Sequence, residues 1–195
     1  MAAKYRLGCQ VYSGDGPCPA CLQRGERYGG ERITCHNNLH DHLHDLAAAA
    51  ALNPTKESRG LIPCQERRPA GIFILSWAGG RDVAFDVTVV NPLQDATVVA
   101  AAATPGYTLK WRYGKKMTGA AEHCQREGIQ FLPLVVESQG GWHKVAQREV
   151  KKLAAAKARQ GGQEEEGALR NMWTRLTILL QRRIAAILHN HNPMC

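Results

Sequence analysis

The sequence predicts an α/β fold in which helices sandwich a small mixed sheet, and three observations carry that prediction. Apolar residues at helical spacing in residues 37–52 precede three short runs of strand character, 55–58, 71–77 and 82–90. A helical region, 93–127, leads into a further apolar strand, 130–137, and two helical stretches follow. No GxGxxG or GxxxxGK[ST] turn joins a strand to a helix, which argues against a doubly wound nucleotide-binding sheet.

Each element has a local reason. Residues 1–36 are rich in Gly, Cys and Arg and lack periodicity, which suits a loop held by metal rather than by a core. Leu39, Leu43, Leu46, Ala47 and Ala50 share a helical face, and Asn53-Pro54 ends that helix because a residue before proline is pushed out of the helical region. The run from Gly71 to Trp77 is apolar, Ala78-Gly79-Gly80-Arg81 is a turn, and the stretch from Asp82 to Val90 is β-branched, so the last two runs form a hairpin. Asn91-Pro92 breaks the strand, and Thr104-Pro105-Gly106 interrupts the helical region that follows. Phe131–Val136 forms the core of the next strand, ended by Ser138-Gln139-Gly140-Gly141. Helices are expected over 142–159 and 168–189 with a polar link between them. The last carries a stripe of Met172, Trp173, Leu176, Leu179, Leu180, Ile184, Ile187 and Leu188. The expected division is a knuckle-like segment over 1–36, a core over 37–160 and a helical extension over 161–195.

A chain of 195 residues can bury one ordinary core, and its net charge of +8 favours polyanions, with DNA the first partner to consider and RNA the second. The alanine-rich stretch from Leu46 to Leu52 is far short of the roughly 20 residues that span a bilayer, so no membrane partner is expected. Seven cysteines without a secretion signal argue against a disulfide framework, and nucleus or cytosol is the expected compartment.

Cys18-Pro19-Ala20-Cys21 has the spacing with which two thiolates hold zinc from one tight turn, and Cys35 is a natural third ligand. The fourth is open among Glu31, His36, His40, His42 and His44, with His40 carried forward. His40 and His44, four apart on the predicted helix, face the same way. The competing reading is an incidental CxxC beside a solvated His/Asp helix face.

Asp86 interrupts an apolar strand, and an acid there is costly to bury without a metal or a cation. Strand alternation puts Ala84, Asp86 and Thr88 on one small, weakly polar face. Glu57 is a second carboxylate, and Glu137 ends the later strand. Carboxylates that hold Mg²⁺ or Mn²⁺, helped by a lysine, are the minimal equipment for phosphodiester hydrolysis. Lys110, Arg112, Lys115 and Lys116 crowd one helical region beside Trp111 and Tyr113, a pattern suited to phosphate contacts and base stacking, or simply to a solvated helix face.

The chain resembles the C-terminal region of site-specific non-LTR retrotransposon reading frames. There a zinc knuckle precedes a restriction-endonuclease-like domain of the PD-(D/E)XK class, downstream of a reverse transcriptase. The likeness runs through Gly16-Pro17-Cys18-Pro19-Ala20-Cys21, Tyr28-Gly29-Gly30, Cys35, His40 with Asp45, Lys56-Glu57, Leu61-Ile62-Pro63, Arg68-Pro69-Ala70, Asp86-Val87-Thr88-Val89, Pro92-Leu93-Gln94, Thr104-Pro105-Gly106, Phe131-Leu132-Pro133-Leu134, Glu137 and Gly141-Trp142. It implies a core of helix, three strands, helix and strand, a divalent metal, and nicking of target DNA. The chain departs from the pattern in three places. Glu31 stands where the knuckle has histidine, Gly71 where the first metal-binding aspartate falls, and Thr88 where a lysine is expected.

Carried over by position, Glu57 and Asp86 hold the metal and Lys115 or Lys116 serves the phosphate. The expectation is a decaying copy of a metal-dependent endonuclease whose phosphodiester hydrolysis is impaired and is raised by Gly71→Asp. The alternative is a nuclease fold that only binds nucleic acid. A module that docks a partner through the last helix ranks third.

Overall fold

The computed structural model describes residues 33–56 and 71–190, with only the backbone described at 33–35, 119–120, 183–184 and 186–190. The elements are α1 (Ile33–Ala49), β1 (Thr55–Lys56), β2 (Ile72–Ile74), β3 (Val83–Val90), α2 (Val98–Ala103), α3 (Tyr107–Arg126), β4 (Gln130–Glu137), α4 (Lys144–Gly161) and α5 (Glu165–Asn190). Cys18, Cys21, Glu57, Leu61-Ile62-Pro63 and Arg68-Pro69-Ala70 lie outside the described residues, as does the Cys35 side chain.

The fold is mixed α/β, as the order of elements predicts. The four strands lie in chain order; β1–β2 and β2–β3 pair antiparallel, and β3–β4 pair parallel. The parallel pair needs a long crossover, which α2 and α3 supply. Pro133 cannot donate to a ladder, and it sits in β4 at the edge of the sheet.

Alternation sorts the sheet into two faces. Ile72, Ile74, Val83, Phe85, Val87, Val89, Leu132, Leu134 and Val136 form one core with α1, α4 and α5. The opposite face is covered by α3: Ala84 and Phe131 pack with Cys124, and Val90 and Val135 with Leu109. The strands are thus buried on both sides, which is why β3 and β4 read as near-continuous apolar runs.

The last helix donates its stripe to the main core, where Met172, Leu176 and Leu180 are buried and Trp173 and Leu179 pack against them. Those residues hold the fold together and are not free to dock a partner.

Several boundaries differ from the expected ones, and the helical region expected from 93 begins only at Val98. α1 begins at Ile33, inside the stretch read as a loop. β2 ends at Ile74, because Leu75 turns out to solvent and Ser76 enters the left-handed region at φ 48°, its N–H donating to Asp82 Oδ1 at 2.9 Å. The link between α4 and α5 shrinks to Gly162, Gln163 and Glu164, with Gly162 at φ 60° capping α4.

Trp77 returns to the core and donates through Nε1 to Glu149 Oε2 at 2.8 Å. Glu149 is fully buried and also accepts from Arg148 Nε and Lys152 Nζ. Burial raises the Glu149 pKa, and these three donors with the Lys152 charge outweigh it, so the group ends below its ordinary value of 4.5.

Candidate functional site

Asp86 is the one residue of β3 that is not fully buried. Its Oδ2 lies 2.8 Å from Lys116 Nζ, and the Thr88 hydroxyl donates to the same oxygen at 3.3 Å. Helix phase decides between the two neighbouring lysines. Position 116 turns toward the sheet beside Met117, whereas Lys115 Nζ sits 4.5 Å above the centre of the Trp111 ring, away from Asp86. Thr88 occupies the position two residues after the strand acid, and the lysine that meets Asp86 comes from the covering helix.

Gly71 stands just before β2. Ile72 pairs with Phe85, and the Gly71 N–H donates to Phe85 O at 3.1 Å, one residue short of the regular antiparallel partner, so the regular register stops at Ile72 and Phe85. α1 runs past this point. The His40 ring rests on Gly71, so that a Cβ added there would lie 2.5 Å from Nε2 and overlap Cδ2. The expected gain from Gly71→Asp therefore does not follow: the imidazole already fills the space that an added carboxylate needs, and it is only 7% exposed.

The histidine is held from behind. His40 Nδ1 is 3.3 Å from Asp41 Oδ1, and Lys56 donates to that same oxygen at 3.0 Å. The Lys56 and His40 hydrogen bonds keep the Asp41 carboxyl below its ordinary pKa. His40 Nε2 is buried without a hydrogen-bond partner.

His36, one turn earlier, stacks on His40 with ring centres 6.2 Å apart. Burial lowers its pKa; the Asp86 charge opposes this, the His40 and Lys116 charges add to it, and a hydrogen bond with the Val87 backbone opposes it. His36 was absent from the expected active-site set. The available signal was its spacing of four from His40, which places both rings on one helix face.

The other expected residues divide. Lys110 is exposed on α3, and Arg112 is half-buried with Nε lacking a partner among the described residues. The Tyr113 ring stacks on His143 at 4.2 Å, and His143 is pushed to a lower pKa by burial and by Lys110 and Lys144. Lys110 and Lys144 thus place positive charge beside the stacked rings. Glu137 stands at the far end of β4, paired in register with Val90, and burial raises its pKa.

Among the described residues no three His, Cys, Asp or Glu side chains converge as a metal cage. A divalent ion with several waters nevertheless needs only one or two protein ligands. The Asp86 carboxylate is a donor of the right chemistry for it. No helix among the described residues is long and apolar enough to cross a membrane. A scan against models of known protein families finds no match, and no curated protein matches the chain.

Proposed function

We propose that this chain is a restriction-endonuclease-like domain of retroelement origin whose metal-assisted phosphodiester hydrolysis is slow. The observation that carries the reading is the Asp86–Lys116 pair, an acid on a central strand met at 2.8 Å by a lysine amine from the covering helix. The order of elements, a helix, three strands, a helical region and a fourth strand, also agrees with the core that the resemblance implies.

Each residue then has a task. A bound divalent ion supplies an activated water and neutralises phosphate charge. Asp86 holds that ion, and Thr88 orients the carboxylate by hydrogen bonding. Lys116 places a cation where the phosphate enters, and Lys110, Arg112 and Lys115 follow the strand on either side. Water adds across the phosphorus–oxygen bond, its hydroxyl going to phosphorus and its proton to the departing sugar oxygen.

The chain has Gly71 where the resemblance puts the first metal-binding aspartate, and that specific feature favours a second reading, a nuclease fold that binds nucleic acid without cleaving it. One experiment separates the two: nicking of supercoiled plasmid in Mn²⁺ and in Mg²⁺ by the full chain, Asp86→Asn and Lys116→Met. Slow nicking lost in both variants supports the first reading. Salt-sensitive DNA binding with no nicking supports the second. Neither binding nor nicking overturns both.

A further inference from the structure

A cleft of about 530 Å³ lies where the turn after β4 meets α4 and α5, beside the core that these helices share with α1. We infer that it binds one unpaired base of a single-stranded nucleic acid, together with that nucleotide's phosphate. The inference rests on the nucleic-acid part of the reading above and does not require cleavage.

Helical spacing builds the two walls. Gln147 and Lys151 stand four apart on α4, and Leu169, Trp173 and Thr177 follow at steps of four on α5. Trp142, bridged to Val136 of β4, completes the lining, and Gly140 and Gly141 bring no side chain to it. The two indoles cross at 74° with ring centres 5.3 Å apart. A flat ring laid parallel to one of them meets the other edge-on, and both contacts are favourable. Trp142 is buried in the core, whereas Trp173 packs against that core and is only half-buried, so Trp173 offers more surface to a ligand.

The polar groups define the rest of the ligand. Gln147 Nε2 donates to Trp142 O at 2.9 Å, which leaves Oε1 to accept from a base amine. Lys151 is the one charged residue of the lining. Its neighbours Arg148 and Lys152 both pair with Glu149, while Lys151 pairs with no acid among the described residues. One cation beside a flat aromatic recess suits a base with its phosphate. Outside the cleft, His143 follows Trp142 in the chain and stacks on Tyr113, with Lys110 and Lys144 close enough to depress its pKa. A strand leaving the cleft therefore meets a second pair of rings flanked by positive charge, and this favours a strand over a free nucleotide.

The test is binding of the full chain, read by tryptophan quenching, to an adenine-only DNA single strand about ten nucleotides long. The comparison ligands are an abasic strand of equal length, adenosine monophosphate and a DNA duplex. The adenine strand is expected to bind at least about five-fold tighter than the abasic one, the effect of a single base stack. Trp173→Leu keeps an apolar side chain against the core and is expected to remove most of that difference. Lys151→Gln, at an exposed position, is expected to lower the slope of log affinity against log salt by about 0.7. Circular dichroism checks the fold of each variant.

Equal affinity of the parent chain for the two strands overturns the inference. So does a preference for adenine that Trp173→Leu leaves intact, or a salt slope that Lys151→Gln leaves unchanged. Adenosine monophosphate binding as tightly as the strand also overturns it, because the ligand is then a free nucleotide. In each of these cases, retained duplex binding leaves the proposed function standing. A chain that binds none of these nucleic acids overturns both.

Discussion

Gly71→Ala adds one methyl group against the His40 ring, and its cost reports how firmly that ring is held there. The new carbon would sit 2.5 Å from His40 Nε2 and overlap Cδ2, against ordinary contacts of about 3.5–4.0 Å. The ring is 7% exposed and tied through Nδ1 to Asp41, so it has little freedom to withdraw. Gly71 does not adopt a positive φ, so backbone strain adds nothing to the comparison. Overpacking of this kind costs about 1–3 kcal/mol. With His40→Ala the obstruction is gone, and the same alanine at 71 is expected to cost less than about 0.5 kcal/mol. The coupling between the two sites then comes to about 1–2 kcal/mol. Urea unfolding followed by tryptophan fluorescence gives all four corners of the cycle, provided the denaturant slope is unchanged. A cost for Gly71→Ala that is negligible, or equal in both backgrounds, refutes the claim that the ring is fixed over Gly71.

The remaining predictions concern single contacts. Lys116→Met leaves Asp86 without its cation and should cost about 1–2 kcal/mol in urea unfolding; no cost means the pair is not formed in solution. Trp77→Phe removes one donor to buried Glu149. The Glu149 pKa is depressed, so its stabilisation is complete above 4.5 and is lost as pH falls through the folded value. Losing the Trp77 bond therefore moves the acid-unfolding midpoint to higher pH and costs about 1.5–3 kcal/mol, whereas an unmoved midpoint contradicts the network. Lys110→Ala should lower the slope of log affinity against log salt by about 0.9 if that lysine meets a duplex phosphate, and an unchanged slope removes it from the interface. Elemental analysis is expected to find zinc near one per chain, and a metal-free chain with unchanged folding would remove the knuckle.

Much of the fold was legible because its strands are buried on both faces. The run from Gln130 to Glu137 reads as a strand from its apolar content alone, and β4 spans those residues. The hairpin of β2 and β3 follows from two apolar runs around Gly79-Gly80. The end of β2 was not legible, since Leu75 looks like more strand and only the Ser76–Asp82 hydrogen bond turns the chain outward. In the site, Asp86 stood out as an acid in an apolar strand. The choice of Lys116 over Lys115 was hidden, because it depends on the rotation of α3 over the sheet. The meeting of His40 with Gly71 was hidden for a similar reason. It joins residues from two elements, and a gap of thirty-one positions leaves no local pattern to read.

Asp86 is the centre of the proposed metal-assisted site, and the position of a bound Mn²⁺ ion tests that most directly. Anomalous scattering from crystals of the full chain grown with Mn²⁺ is predicted to show an ion within ligand distance of the Asp86 carboxylate. Crystals saturated with Mn²⁺ in which Asp86 remains bound only to Lys116 and Thr88, with no ion beside it, would contradict the account.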